Sequence, residues 1–234
     1  MTDLSSAFSK AIKLLIDLEP ALVEIVQLSL SVSLSAVLLA SLIGMPLGAV
    51  LGLFRFPGRG VVVSILNALM GLPPVVAGLF IYLLLSRAGP LGEYGLLFTP
   101  AAMVIAQTLL VLPIVAALTR QTVVDLNDEY AEQLHSLRVG PFAMIATLLW
   151  EGRYSLLTAV LAGFGRAIAE VGAVIIVGGN INHVTRVMTT TIALETSKGD
   201  LDLALGLGIV LLLIVFTING VALGAQHLAR RGQA

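Results

Sequence analysis

Two ionisable side chains stand where the chain is otherwise apolar. Arg166 and Glu170 interrupt the run SLLTAVLAGFGRAIAEVGAVIIVGGN, four residues apart. On a continuous helix that spacing puts both on one face, close enough to pair. A charge inside a membrane span costs about 2.5–3.5 kcal/mol on insertion scales. The pair is therefore either a gate or cavity element that changes partners, or a structural ion pair that locks helix packing. Upstream, Ala131, Leu134 and Leu137 recur at helical spacing, with Asp128, Glu129 and Glu132 around them. Gly140-Pro141 then breaks the pattern. An apolar stripe in an acidic surround fits docking into a partner's groove, or a solvated linker. Covalent chemistry has no comparable signal. The chain contains no G-x-x-x-x-G-K-[ST] loop, G-x-S-x-G elbow or H-E-x-x-H pair. It has no cysteine, and its histidines, His135, His183 and His227, are scattered. No thiolate nucleophile or metal cluster is expected, and neither enzymatic activity nor a cofactor on this chain.

The elements that must position these residues are membrane elements. Of 234 residues, 58% are hydrophobic and 12% charged, against about 25% charged in an ordinary soluble domain. The mean hydropathy is +1.01. The expectation is an all-α polytopic membrane protein, a single transmembrane domain over residues 1–234. Five spans are expected, at about 22–54, 61–86, 98–118, 154–177 and 201–225. Phe8, Ile12, Leu15 and Ile16 give residues 1–20 the pattern of an amphipathic helix on the membrane surface. Gly44, Gly48 and Gly52 create a face that another helix can approach closely. Gly71-Leu72-Pro73-Pro74 must break the second span. Such a break is either a simple kink or a pore-lining element, tolerated where protein or a water-filled cavity surrounds it. Residues 119–153 read as a charged loop and 178–200 as a polar segment. Arg55, Arg59, Arg120, Arg138, Arg153, Arg230 and Arg231 fall on one side. Lys10, Lys13, Arg87, Arg186 and Lys198 fall on the other. The positive-inside bias places the N-terminus outside, and the 119–153 loop and C-terminus in the cytoplasm.

Several blocks carry a resemblance. From Glu132 the segment EQLHSLR, continuing to LLWE at 148–151, is similar to the E-A-A-x-x-x-G…I-x-L-P loop of ATP-binding-cassette importer permeases. Glu132 and Leu148 agree with the pattern. Gln133 and Leu134 replace its two alanines, Arg138 stands at its glycine and Glu151 at its proline. GFGRAIAEVGAVIIVGGNI (163–181), NALMGLPPVVAGL (67–79) and LFTPAAMVIAQTLLVLPIVAAL (97–118) resemble the permeases for tungstate, molybdate and sulfate. Within that group the tungstate members are the nearest resemblance.

The resemblance implies a permease subunit in a prokaryotic inner membrane. It implies a second permease copy, two ATPase subunits that carry ATP and Mg, an extracytoplasmic oxyanion-binding protein, and no nucleic acid. It implies ATPase coupling through Asp128, Glu129, Ala131, Glu132, Leu134, Arg138 and Gly140. Pro73, Pro74, Arg166, Glu170, Gly178, Gly179 and Asn180 are the pore or gate candidates. The Gly, Asn and Thr donors of residues 178–191 could pass an oxyanion along, or simply form a solvated loop. An ATP-independent channel or secondary transporter is the alternative from another class, with molybdate or sulfate as alternative cargo.

Overall fold

The computed structural model describes residues 19–231, apart from the side chains of residues 135 and 225–231. The surface helix expected over residues 1–20 lies almost wholly outside the described residues. The described residues are helical, without a strand. The helices are α1 (Pro20–Leu53), α2 (Arg59–Met70), α3 (Pro74–Leu85), α4 (Pro100–Ser136), α5 (Pro141–Glu151), α6 (Arg153–Ile168), α7 (Gly172–Gly178), α8 (Met188–Lys198) and α9 (Leu201–Arg231). A 3-10 turn, Gly92–Tyr94, lies between α3 and α4. Three helices are long and apolar enough to cross a membrane, or up to five spans exist if each interrupted pair, α2 with α3 and α6 with α7, is one span.

The described chain divides into two compact units. One holds the stretch ending at Leu34, Pro74–Ala106, and the chain from Ile168 onward; the other holds Ser35–Pro73 and Gln107–Ala167. In the second unit the glycine face of α1 meets α4. A Cβ at Gly48 would collide with the Ala116 carbonyl and lie 2.8 Å from Thr119 Cβ and 3.0 Å from Arg120 N. At Gly52 it would lie 3.0 Å from Val123 Cγ1, and at Gly44 3.2 Å from Leu112 O. Helices in lipid gain little from hydrophobic transfer against one another, so such close backbone approach carries the packing. Arg59 closes the turn after α1 by donating Nε–H to Leu51 O at 2.7 Å, which satisfies a helix-end carbonyl.

In the first unit α3 lies against α7. A Cβ at Gly78 would sit 2.7 Å from Ala173 Cα. Phe98 N–H donates to Val177 O at 2.9 Å, and the Phe98 ring stands edge-on to Tyr82 at 6.3 Å. Ser29 of α1 accepts the Met188 N–H at the start of α8, 2.8 Å away, while its own hydroxyl donates to Ile25 O. Leu79, Phe80 and Leu83 of α3, and Leu212, Leu213 and Phe216 of α9, are exposed, as side chains that face lipid would be.

Two features differ from the sequence reading. Residues 119–136 are not a loop: α4 continues through them from Pro100 to Ser136. No glycine or proline interrupts that stretch, and Val115, Thr119 and Val123 stay fully buried at helical spacing. Gln121 also reaches Asp125 one turn on, at 2.8 Å. The expected fourth span is the other difference, because its helix stops at Ile168 and resumes at Gly172.

Candidate functional site

The acidic segment forms the end of α4 and the turn into α5, within one unit. Asp128, Glu129 and Glu132 are exposed, and Ala131 is half-buried. The apolar stripe divides. Leu134 is 8% exposed and packs with Ala49, Val123, Met144 and Leu148, whereas Leu137 is 74% and Phe142 87% exposed. Leu134 anchors the segment to its own unit, and Leu137 and Phe142 are left to present an apolar surface.

The turn explains the degenerate motif. Arg138, at the motif's glycine, has φ +51°, the left-handed region that glycine adopts without penalty. Val139 N–H donates back to Leu134 O at 3.1 Å, and Val139 packs on the cluster that contains Leu134. This is the helix-ending arrangement in which a left-handed residue follows the C-cap and a hydrophobic contact seals it. This geometry favours glycine, and Arg138 carries its cost of about 1–2 kcal/mol. Gly140 is extended, with φ −69° and ψ 159°, and Pro141 opens α5. At the other end, Gly152 stands where a Cβ would come 2.8 Å from Thr122 Cγ2. Glu151 at the motif's proline is followed by that glycine, which ends α5. Leu148, which matches the motif, is fully buried.

The break at Gly71–Pro74 is as the sequence predicts. α2 ends with Gly71 N–H on Ala68 O and Leu72 N–H on Leu69 O, both 3.1 Å. Pro73, which is exposed, precedes Pro74, the first residue of α3.

Arg166 and Glu170 do not share one continuous helix. Arg166 is in the last turn of α6, and Glu170 lies beyond its end, so the four-residue spacing does not set a common helical face. Glu170 is 3% exposed. Its carboxylate accepts the Ala173 N–H in the first turn of α7 at 2.9 Å, where an acid complements the open amides and the helix dipole. The Glu170 carbonyl accepts the Thr189 hydroxyl at 2.8 Å. In the other unit, Gln107 Nε2 donates to Ala167 O at 3.0 Å. Side chains thus take up backbone groups that a broken helix leaves open, as a low-dielectric surround requires.

The donors of residues 178–191 are largely engaged in their own turn. Gly178 is buried, and Gly179 ends α7 at φ +73°. A Cβ on Gly179 would also lie 3.0 Å from the Phe98 ring. Asn180, at φ +50°, bonds the Thr190 hydroxyl through Oδ1 at 2.9 Å. Buried Thr185 donates to Gly178 O and accepts the Ile181 N–H. These residues build the turn, and their hydrogen bonds are not free for a passing anion. One group that sequence reasoning did not single out is open. Arg186 Nε is buried with no hydrogen-bond partner, beside a cavity that also holds Glu24 and His183. Their separation of 159 positions, Glu24 to His183, gave no local signal. Among the described residues no group of three or more acidic or His side chains is placed to hold a metal ion.

Long apolar helices and two interrupted helix pairs, one of them recapped by the Glu170 side chain, make this a multi-pass α-helical membrane protein. The chain belongs to the family of binding-protein-dependent transport system inner membrane components, whose model matches residues 44–232. It is 40% identical to the tungstate uptake system permease of Peptoclostridium acidaminophilum, over 97% of this chain and 100% of that protein. It is also 40% identical to a probable anion ABC transporter permease of Haloferax volcanii, over 88% of this chain and 90% of that one. A tungstate uptake system permease of Campylobacter jejuni is 39% identical over 91% of this chain and 89% of its own length.

Proposed function

We propose that this chain is the permease subunit of an ATP-driven importer of oxyanions, with tungstate as its principal cargo. The observation that carries the reading is the 40% identity, along 97% of this chain, to a tungstate uptake permease. In the working assembly two copies form the path, and two ATPase subunits bind on the cytoplasmic side with ATP and Mg. An extracytoplasmic binding protein delivers the anion. This chain is not an enzyme; ATP hydrolysis belongs to its partner. The N-terminus lies outside and the C-terminus inside.

Coupling runs through the end of α4, the Arg138 turn and α5. Exposed Leu137 and Phe142 provide apolar contacts for the ATPase, and Asp128, Glu129 and Glu132 surround them with charge. Leu134, Met144 and Leu148 are sunk into the unit's own core with Ala49 and Val123. A push on the exposed residues is therefore delivered to α1 and α4 of that unit through packed side chains, which do not deform freely. Selectivity resides mainly in the binding protein. The hydroxyls of Thr185, Thr189 and Thr190 are engaged in hydrogen bonds within the protein, and conduction favours sites weak enough to release the ion.

The test is reconstitution of permease, ATPase and binding protein in proteoliposomes, with tungstate, molybdate and sulfate compared at equal concentration. Preferential tungstate uptake is expected. ATP-driven uptake of an amino acid or metal cation, with no oxyanion uptake, would overturn the substrate assignment while leaving the importer architecture.

A further inference from the structure

One cavity, of about 230 Å3, lies wholly within the first unit, lined by the first turns of α1, by residues of the 182–186 stretch, and by Thr191 and Leu203. Its polar lining includes Glu24, Asn182, His183 and Arg186, and its apolar wall includes Ile25 and Leu28. Arg186 is the informative residue. A guanidinium carries five donors and no acceptor, and here Nε is buried with no hydrogen-bond partner. Nε itself is closed to solvent, so Arg186 acts on an ion in the cavity through its positive charge and the part of its side chain that lines the wall. The neighbouring His183 has φ +58°. Its Nδ1 lies 2.7 Å from Glu24 Oε2, so the imidazole is held at the cavity by a group on another element. Nε2 remains as its second polar atom.

We infer that this cavity is a transient oxyanion-binding site in which Arg186, His183 and Asn182 receive the ion and Glu24 keeps its stay short. The inference rests on the oxyanion reading of the preceding subsection. The planar fork of Arg186 suits a tetrahedral oxyanion. The His183 and Glu24 side chains are 67% and 46% exposed, so the attraction is partly screened by solvent. Glu24 acts in the opposite sense: its carboxylate repels the ion and holds His183. A site with one guanidinium and one opposing carboxylate captures without trapping, as a transport path requires. The roles have opposite signs. Loss of Arg186 weakens binding, and loss of the Glu24 charge strengthens it.

The chain has no cysteine, so a single reporter thiol can be placed at the cavity as Ala21→Cys. The full-length protein in nanodiscs is labelled with an uncharged maleimide at increasing tungstate. The expected result is slowed labelling at Ala21→Cys and none at a control, Val61→Cys, on exposed α2. The half-protecting concentration should rise about tenfold or more with Arg186→Gln, the equivalent of one charged hydrogen bond, and fall several-fold with Glu24→Gln. The gain expected of Glu24→Gln cannot arise from misfolding. Absence of protection, or protection unchanged by both substitutions, overturns the site. Uptake by the complete system is measured alongside. Normal tungstate uptake without Arg186-dependent protection removes the site and leaves the import reading. Absent uptake removes the import reading, and the labelling still decides the site.

Discussion

Gly48→Ala adds one methyl group at the closest approach of α1 and α4. The new Cβ would meet the Ala116 carbonyl and lie 2.8 Å from Thr119 Cβ and 3.0 Å from Arg120 N. Carbon atoms rest at about 3.5–4.0 Å, so the two helices must part by on the order of 1 Å. Two of the three obstacles are backbone atoms, which cannot rotate away. Overpacking of this kind costs about 1–3 kcal/mol and occasionally more. Alanine's better helix propensity returns about 1 kcal/mol. Gly60→Ala in α2 isolates that second effect, because nothing lies within 4 Å of its Cβ. The two variants should differ by about 2 kcal/mol or more, with Gly48→Ala destabilised and Gly60→Ala neutral or stabilised. Thermal or denaturant unfolding of the purified protein in detergent measures this. Equal stability of the two variants would refute the packing argument.

Arg138→Gly should leave stability unchanged or raise it by up to about 1–2 kcal/mol, since it relieves a left-handed residue, whereas Arg138→Val should lower stability, because a β-branched residue is a stronger outlier there; unfolding midpoints decide, and a destabilised glycine variant would contradict the turn account. Glu170→Ala should destabilise by about 1–3 kcal/mol, because it exposes the Ala173 amide as a buried unpaired donor, while Glu170→Gln keeps an acceptor oxygen and should lose less. Equal losses from the two would remove the capping role. Reporter fusions after residues 57, 92, 135, 190 and 234 should read in, out, in, out, in, and an inverted pattern would refute the proposed orientation.

Much of this fold was legible because membrane helices announce themselves through long apolar runs. Gly44, Gly48 and Gly52 correctly marked a close helix contact, and Gly71–Pro74 a helix break. Two features were hidden for physical reasons. The charges after Leu118 imitate a loop, yet charge alone does not end a helix; that takes a glycine, proline or capping arrangement, and the first is reached at Arg138. The break after Ile168 contains no proline. It rests on Glu170, whose role as a cap depends on Thr189 and on the turn that brings α8 back to it. The spacing of Arg166 and Glu170 assumed a continuous helix, and that assumption failed. Arg138 illustrates the converse: it stands at the motif's glycine position with a φ of +51°, a conformation that glycine adopts without penalty and that the residue type alone does not announce.

The central claim is that this permease moves an oxyanion only as a separate ATPase drives it. The most direct measurement is tungstate accumulation in proteoliposomes that contain permease, ATPase and binding protein, with internal ATP or a non-hydrolysable analogue. The account predicts accumulation above the external concentration with ATP and none with the analogue. Tungstate influx that equilibrates equally well without hydrolysis would contradict it and support a channel.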